Sequence, residues 1–313
     1  MNEPKATRSF ERGQTLVLFA LFLTALVGFT GLVVDGSGTL VQRRDMQNAA
    51  DLAAMAGGYG YLNGTGAAAA ARQVASANGF TDSVNGATVA VSVAGPSDAT
   101  TVTVNITAPH QNFFSGVLGF SSWQVSTTAT SLACIPNEVA GGAMPIIFNT
   151  DVCPGGTCPT GLISSHAYDE PPSGPQSIPL GGTEFNWTVF CLANGNPCNA
   201  NTNLVAGLID GSSPTTQAVV DLNTIIDPLN AGAHTSLFNA LAAAVGTDIT
   251  VAMVDNTGAL QGFAMFHLTG SSGGSTKEIT GYFQSSISAQ NLVIGPGGGT
   301  PHFYGIWSIR LVN

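Results

Sequence analysis

The chain has 313 residues, enough for one large or two small domains, and only 8% of them are charged, about a third of the usual share. The formal net charge is -10 and all of it lies beyond Asp51: up to that point Lys5, Arg8, Arg12, Arg43 and Arg44 are balanced by Glu3, Glu11, Asp35, Asp45 and Asp51, and after it only Arg72, Lys277 and Arg310 are basic. Phosphate neutralisation needs clustered Lys and Arg, so the composition argues against nucleic acid as a partner.

No charge occurs from Gly13 to Val34, and the run "LVLFALFLTALVGFTGLVV" (Leu16–Val34) contains 19 residues. As a helix it would be about 29 Å long, matching a hydrocarbon core of roughly 30 Å. The hydroxyls of Thr24 and Thr30 can bond back to the helix. A cleaved signal peptide is the alternative, but its apolar core is shorter and ends in a small-x-small site, and none stands near Val34. The expectation is a retained single-pass anchor in the cell membrane, in contact with lipid. Lys5, Arg8 and Arg12 precede the span and Arg43 and Arg44 follow it, which places the N-terminus in the cytoplasm and the bulk of the chain outside.

The span ends in "GLVVDGSGTL" (residues 31–40), where Asp35, Ser37 and Thr39 offer oxygens at two-residue steps. After a strand this pattern would suggest a hard-cation site. After 19 apolar residues, too many for an ordinary strand, Asp35 reads instead as a polar marker at the membrane exit, with no metal. The helical pattern then continues. Leu40, Arg44, Gln47 and Asp51 share one face; Met46, Ala49, Ala50, Ala53 and Ala56 form an apolar small-residue face; Gly57, Gly58 and Gly60 mark a stop. The small-residue face suits close packing, on the protein's own sheet or on a neighbouring subunit.

Residues 67–80 predict a short helix closed by Gly79. Residues 87–109 alternate Val with small polar residues around Gly95-Pro96-Ser97-Asp98, a hairpin signal. "FFSGVLGF" (113–120) predicts a short apolar turn of helix, and 123–133 a further strand. Residues 134–200 are rich in Pro, Gly, Asn and Cys and predict irregular chain or short strands. Beyond them, 237–245 reads as helix and 248–256, 260–270, 277–288 and 304–312 as strands joined by short turns, hence antiparallel.

All five cysteines fall between Cys134 and Cys198. Cys153 and Cys158 bracket "CPGGTC", and Cys191 and Cys198 bracket "CLANGNPC", loops that can close as two disulfides in an oxidising compartment. Zinc is the competing reading, though it prefers tighter C-x2-C pairs. Cys134 is left over, and the pairing stays open. His166, Asp169 and Glu170 could form a metal or acid–base site, but a solvated loop before a Pro-rich turn accounts for them. No G-x-S-x-G elbow, H-E-x-x-H pair or phosphate-binding Gly-Lys-Ser/Thr loop is present. The sequence predicts no enzyme and no cofactor.

The segment Arg12–Gly58 resembles the N-terminal segment of Flp pilus-assembly proteins of the TadE/TadG-like type. The shared elements are R-G-Q before the span, an Asp at its exit, a basic stretch, and Q-N-A-A-D-L-A-A-M-A-G-G from Gln47 to Gly58. The resemblance implies a membrane-anchored structural or assembly component of a tight-adherence pilus, meeting other pilus or secretion-machinery subunits through the N-terminal helix. One departure is that pilins cut by prepilin peptidase carry a Glu five residues after the cleavage point; counted from Gly13, that position is Leu18. A membrane-anchored cell-surface binding or adhesion protein is the alternative. The expected fold is α+β: a single N-terminal transmembrane helix extending into a long helix (1–60), a small pilin-like α+β head (61–133), and a Cys/Gly/Pro-rich segment leading to a β-rich C-terminal domain (134–313), with mostly antiparallel strands. Asp35, Gln47 and Asp51 are the expected helix-packing and membrane-exit residues.

Overall fold

A computed structural model describes residues 11–117, 119–139, 143–168, 182–188, 190, 202–210, 220–224, 229–230, 235–285, 287–288, 292–293 and 301–312. In chain order the elements are α1 (Glu11–Leu62), α2 (Ala67–Ala77), β1 (Thr88–Ala94), β2 (Ala99–Gln111), α3 (Phe114–Val117), β3 (Ser122–Cys134), β4 (Glu138–Val139), β5 (Ala143–Asn149), β6 (Ile163–Ala167), β7 (Glu184–Thr188), α4 (Thr202–Asp210), β8 (Val220–Asp221), β9 (Leu229–Asn230), α5 (Thr235–Leu241), β10 (Asp248–Val254), β11 (Leu260–Ser272), β12 (Glu278–Phe283), β13 (Ile287–Ser288), β14 (Leu292–Val293) and β15 (Ile306–Val312). The fold is α+β, a long apolar N-terminal helix followed by a mostly antiparallel β-rich region. The chain divides into two compact units: residues up to Val93 with Val102–Ser131 and the last residues from Leu311, and Ala94–Thr101 with Leu132–Arg310.

In the first unit α1 is one helix long and apolar enough to cross a membrane, and its most apolar stretch is almost wholly exposed. Thr24 and Thr30 donate their hydroxyls to the carbonyls of Ala20 and Leu26, each at 2.8 Å, so the polar atoms of the run are satisfied within the helix. Beyond the run α1 becomes one-sided: Met46, Ala49, Ala50, Ala53 and Ala54 are buried, the helical spacing of a face laid on a core. Their partners are α2, through Ala71 and Ala75, and strands β1, β2 and β3, through Val89, Val104, Ile106, Val125 and Ala129. The apolar face therefore packs on the protein's own sheet. Side-chain bonds Thr103–Thr130, Asn105–Thr128 and Thr107–Ser126 step in opposite senses along β2 and β3, which makes this pair antiparallel.

The glycines expected to stop the helix do not. α1 runs through Gly57, Gly58 and Gly60 to Leu62. A Cβ at Gly57 would lie 2.7 Å from Val102 Cγ1, and one at Gly60 would lie 2.7 Å from Ala70 Cβ. These glycines serve close approach of the sheet and α2, a tertiary demand that overrides their low helix propensity.

In the second unit β5, β10, β11, β12, β6 and β7 are hydrogen-bonded in that order, and β7 pairs back onto β5, so six strands close on themselves with β9 appended to β7. Closure removes the exposed edges an open sheet would leave. Four of these six pairings are antiparallel; β5–β10 and β6–β7 are parallel. Inside, Phe148, Phe185, Trp187, Phe266 and Phe283 meet at centroid distances of 5.1–6.2 Å, and Phe238 of α5 joins them. Five of these six rings lie on strands, and the sixth covers them from a helix; edge-to-face geometry of this kind adds to their burial energy.

Candidate functional site

The candidate site lies where α1 leaves its apolar run. Asp35 is 1% exposed, although neighbouring Val34 and Val33 are open. Its carboxylate accepts three successive backbone N–H groups at the start of α3: Phe113 to Oδ1 at 2.9 Å, Phe114 to Oδ2 at 3.1 Å and Ser115 to Oδ2 at 2.6 Å. Withdrawal from water raises the Asp35 pKa, but the Ser115 amide and hydroxyl and the amides of Phe113 and Phe114 outweigh it and hold the carboxyl at about 2, below the ordinary 3.8. Asp35 thus does for α3 what an N-cap residue does, from 78 residues away in sequence.

The hydroxyls that made the segment resemble a cation site point elsewhere. Ser37 donates to Val34 O at 2.9 Å and Thr39 to Asp35 O at 2.9 Å, both back into the helix. All four side-chain oxygens of the D-G-S-G-T pattern are thereby committed to protein partners.

From Asp35 a seam runs along α1 in steps of three and four. Gly38 admits the His110 ring, which a Cβ there would meet at 3.0 Å. Gln42 Oε1 lies 2.7 Å from His110 Nδ1, and its Nε2 donates to Pro109 O at 3.2 Å. Ser131 donates to Ala54 O at 2.6 Å. Gln47 donates to Asp51 Oδ1 at 2.8 Å and reaches the Thr128 carbonyl at 3.4 Å. Asp35, Gln47 and Asp51 are therefore distributed along one helix–sheet seam rather than gathered in a cleft. Sequence reasoning missed Gln42, His110 and the 113–115 amides. The visible signal was the spacing 31-35-38-42 continuing the Met46–Ala53 periodicity upward into the span.

The remaining candidates lie in the second unit. Cys153 and Cys158 are joined by a disulfide. Cys191, Cys198, Asp169 and Glu170 lie outside the described residues. Cys134 is buried and unbonded to another cysteine; burial pushes its thiol up to about 11 against the pull of Arg310, and its Sγ lies 3.5 Å from Ser308 O. His166 was expected in a loop but stands in β6, opposite Glu278 of β12, with Nε2 3.4 Å from Oε2. His267 Nδ1 lies 2.6 Å from Asp248 Oδ1, its cross-strand neighbour, and its ring stacks on Tyr282. Both histidines are thus held in cross-strand pairs on the sheet. A cleft of about 650 Å³ is lined by the Cys153–Cys158 loop and by His302, Phe303 and Tyr304. Among the described residues no three His, Cys, Asp or Glu side chains converge as metal ligands.

Comparison with known proteins bears on the first unit. Residues 13–77 match the family model described as Putative Flp pilus-assembly TadE/G-like. The N-terminal segment is similar to that family. The TadE/G-like match covers the apolar run, Asp35, the small-residue seam and α2, and ends before β1. No curated protein and no solved structure gives a significant match to the chain.

Proposed function

We propose that the protein is a membrane-anchored structural or assembly component of a Tad/Flp-type pilus, without enzymatic activity. The reading puts the N-terminus in the cytoplasm and both folded units outside, with the N-terminal helix as the contact to other pilus or secretion-machinery subunits. One observation carries it: the TadE/G-like match falls on a helix whose first half is apolar and exposed and whose second half is fixed to its own sheet. Such a helix can stand in lipid while holding a folded body at the surface. On this reading Asp35, Gln47 and Asp51 set how the helix meets its sheet, and the Cys153–Cys158 bond suits an oxidising compartment.

The test is deletion of the chromosomal copy, with surface pili counted by electron microscopy and the full chain co-purified from gently solubilised membranes. Loss of pili, and recovery of pilus or secretion subunits with the wild-type chain, is expected. Retained pili with lost surface attachment would replace this reading with that of an anchored adhesin.

A further inference from the structure

Chain 109–117 descends alongside α1 toward the apolar run. Pro109 and His110 sit at Gln42, the 113–115 amides at Asp35, and Phe114 at Gly31, where an added Cβ would fall 2.5 Å from Phe114 Cβ. Gly31 is four residues before Asp35, about 6 Å further along the helix. The apolar groove between α3 and α1 continues through Leu32 and Gly28 to Thr24, with Val117 on its other wall. The loop is therefore beside residues assigned to the span.

The loop is also greasy outward. Phe113 is 81% exposed, Val117 86% and Phe120 65%, and no charged residue or histidine occurs from Gln111 to Cys134. Its form is fixed from within: Asn112 N–H donates to Ser121 O, Asn112 Nδ2 to Phe120 O and Phe120 N–H to Ser115 O, at 2.9–3.0 Å. In water these side chains would form an unshielded apolar patch. They adjoin a helix surface that is itself apolar and exposed over Leu16–Val34, so whatever solvates that surface meets the loop as well.

We propose that the loop residues Phe113–Val117 and Phe120 insert into the phospholipid acyl-chain region beside the protein's own transmembrane helix, as a second, non-spanning membrane contact held at its depth by Asp35. The proposal rests on the reading of Leu16–Val34 as the span. The depth of about 6 Å at Phe114 falls within the 5–10 Å to which interfacial apolar segments bury. With two contacts side by side, the rod resists tilts that would lift the loop out of the bilayer, and the first unit is held close to the membrane.

Photo-crosslinking tests it. p-Benzoylphenylalanine is introduced singly at Phe22, Val117 or Val84 in the full chain, reconstituted in phosphatidylethanolamine–phosphatidylglycerol vesicles, irradiated and mapped by mass spectrometry. Phe22 and Val84 are exposed, one inside the span and one in the turn before β1. Lipid adducts at Phe22 and Val117, and none at Val84, are expected. A Phe22 adduct without one at Val117, or a Val117 cross-link to another protein chain in place of lipid, overturns the loop insertion while leaving the anchor standing. Absence of lipid at Phe22 removes the anchor and the proposal with it.

Discussion

In the first unit the face of α1 laid on the sheet is Ala49, Ala50, Ala53 and Ala54, while Phe113, Phe114 and Phe120 stand exposed. In the second unit the strands turn Phe148, Phe185, Trp187, Phe266 and Phe283 inward, and all five are buried. A helix that must lie flush on a sheet along several turns needs short side chains, so its core gains by close approach of backbones. Six strands closed on themselves enclose a volume that only large rings fill without voids. Phe113, Phe114 and Phe120 of the first unit are thereby left outside, beside the apolar run.

That contrast sets the order of expected effects. Phe148→Ala removes the ring in contact with Phe185, Phe266 and Phe283 and should destabilise the second unit by about 3–5 kcal/mol, read from Trp187 fluorescence in urea; a change below 1 kcal/mol would mean the rings do not form one core. Leu23→Arg places a charge mid-span at a cost of about 2.5–3.5 kcal/mol on insertion scales, and the fraction of chain retained in membranes should drop. Ala50→Leu overfills the seam and should cost about 1–3 kcal/mol, seen as faster proteolysis of α2; an unchanged rate would show the helix free to lift off its sheet.

Acid should act last and least. Asp35 has a folded pKa of about 2 against an ordinary 3.8, so its contribution is complete above about 4 and is lost only as pH falls through about 2. The amide resonances of Phe113, Phe114 and Ser115 should stay constant from pH 7 to about 4 and titrate below it. A midpoint at or above 3.8 would show that these amides do not hold the carboxylate.

The sequence shows the apolar run, because 19 uncharged residues leave few other options, and the β1–β2 hairpin, because Val alternates with polar residues around a turn. It also shows most of the seam, since Met46, Ala49, Ala50 and Ala53 repeat at helical spacing; Ala56, at the edge of that face, is only half-buried and Ala54 takes its place inside. Three features are hidden. The glycines at 57, 58 and 60 look like a stop until α2 is seen against them. Strands β5, β6 and β7 are five to seven residues long and sit in Pro- and Gly-rich text, so their closure with β10–β12 depends on long-range pairing that local pattern does not carry. The role of Asp35 depends on amides 78 to 80 residues away, and a backbone N–H leaves no mark on residue identity.

The contrast between a rod in lipid and a ring-filled body in water comes down to where the full chain partitions. Membranes from cells making the intact protein, washed in alkaline carbonate, should keep it in the pellet and release it only with detergent. Recovery of the folded, full-length chain in the carbonate supernatant would contradict the account, because Leu16–Val34 would then have to be covered by protein instead of lipid.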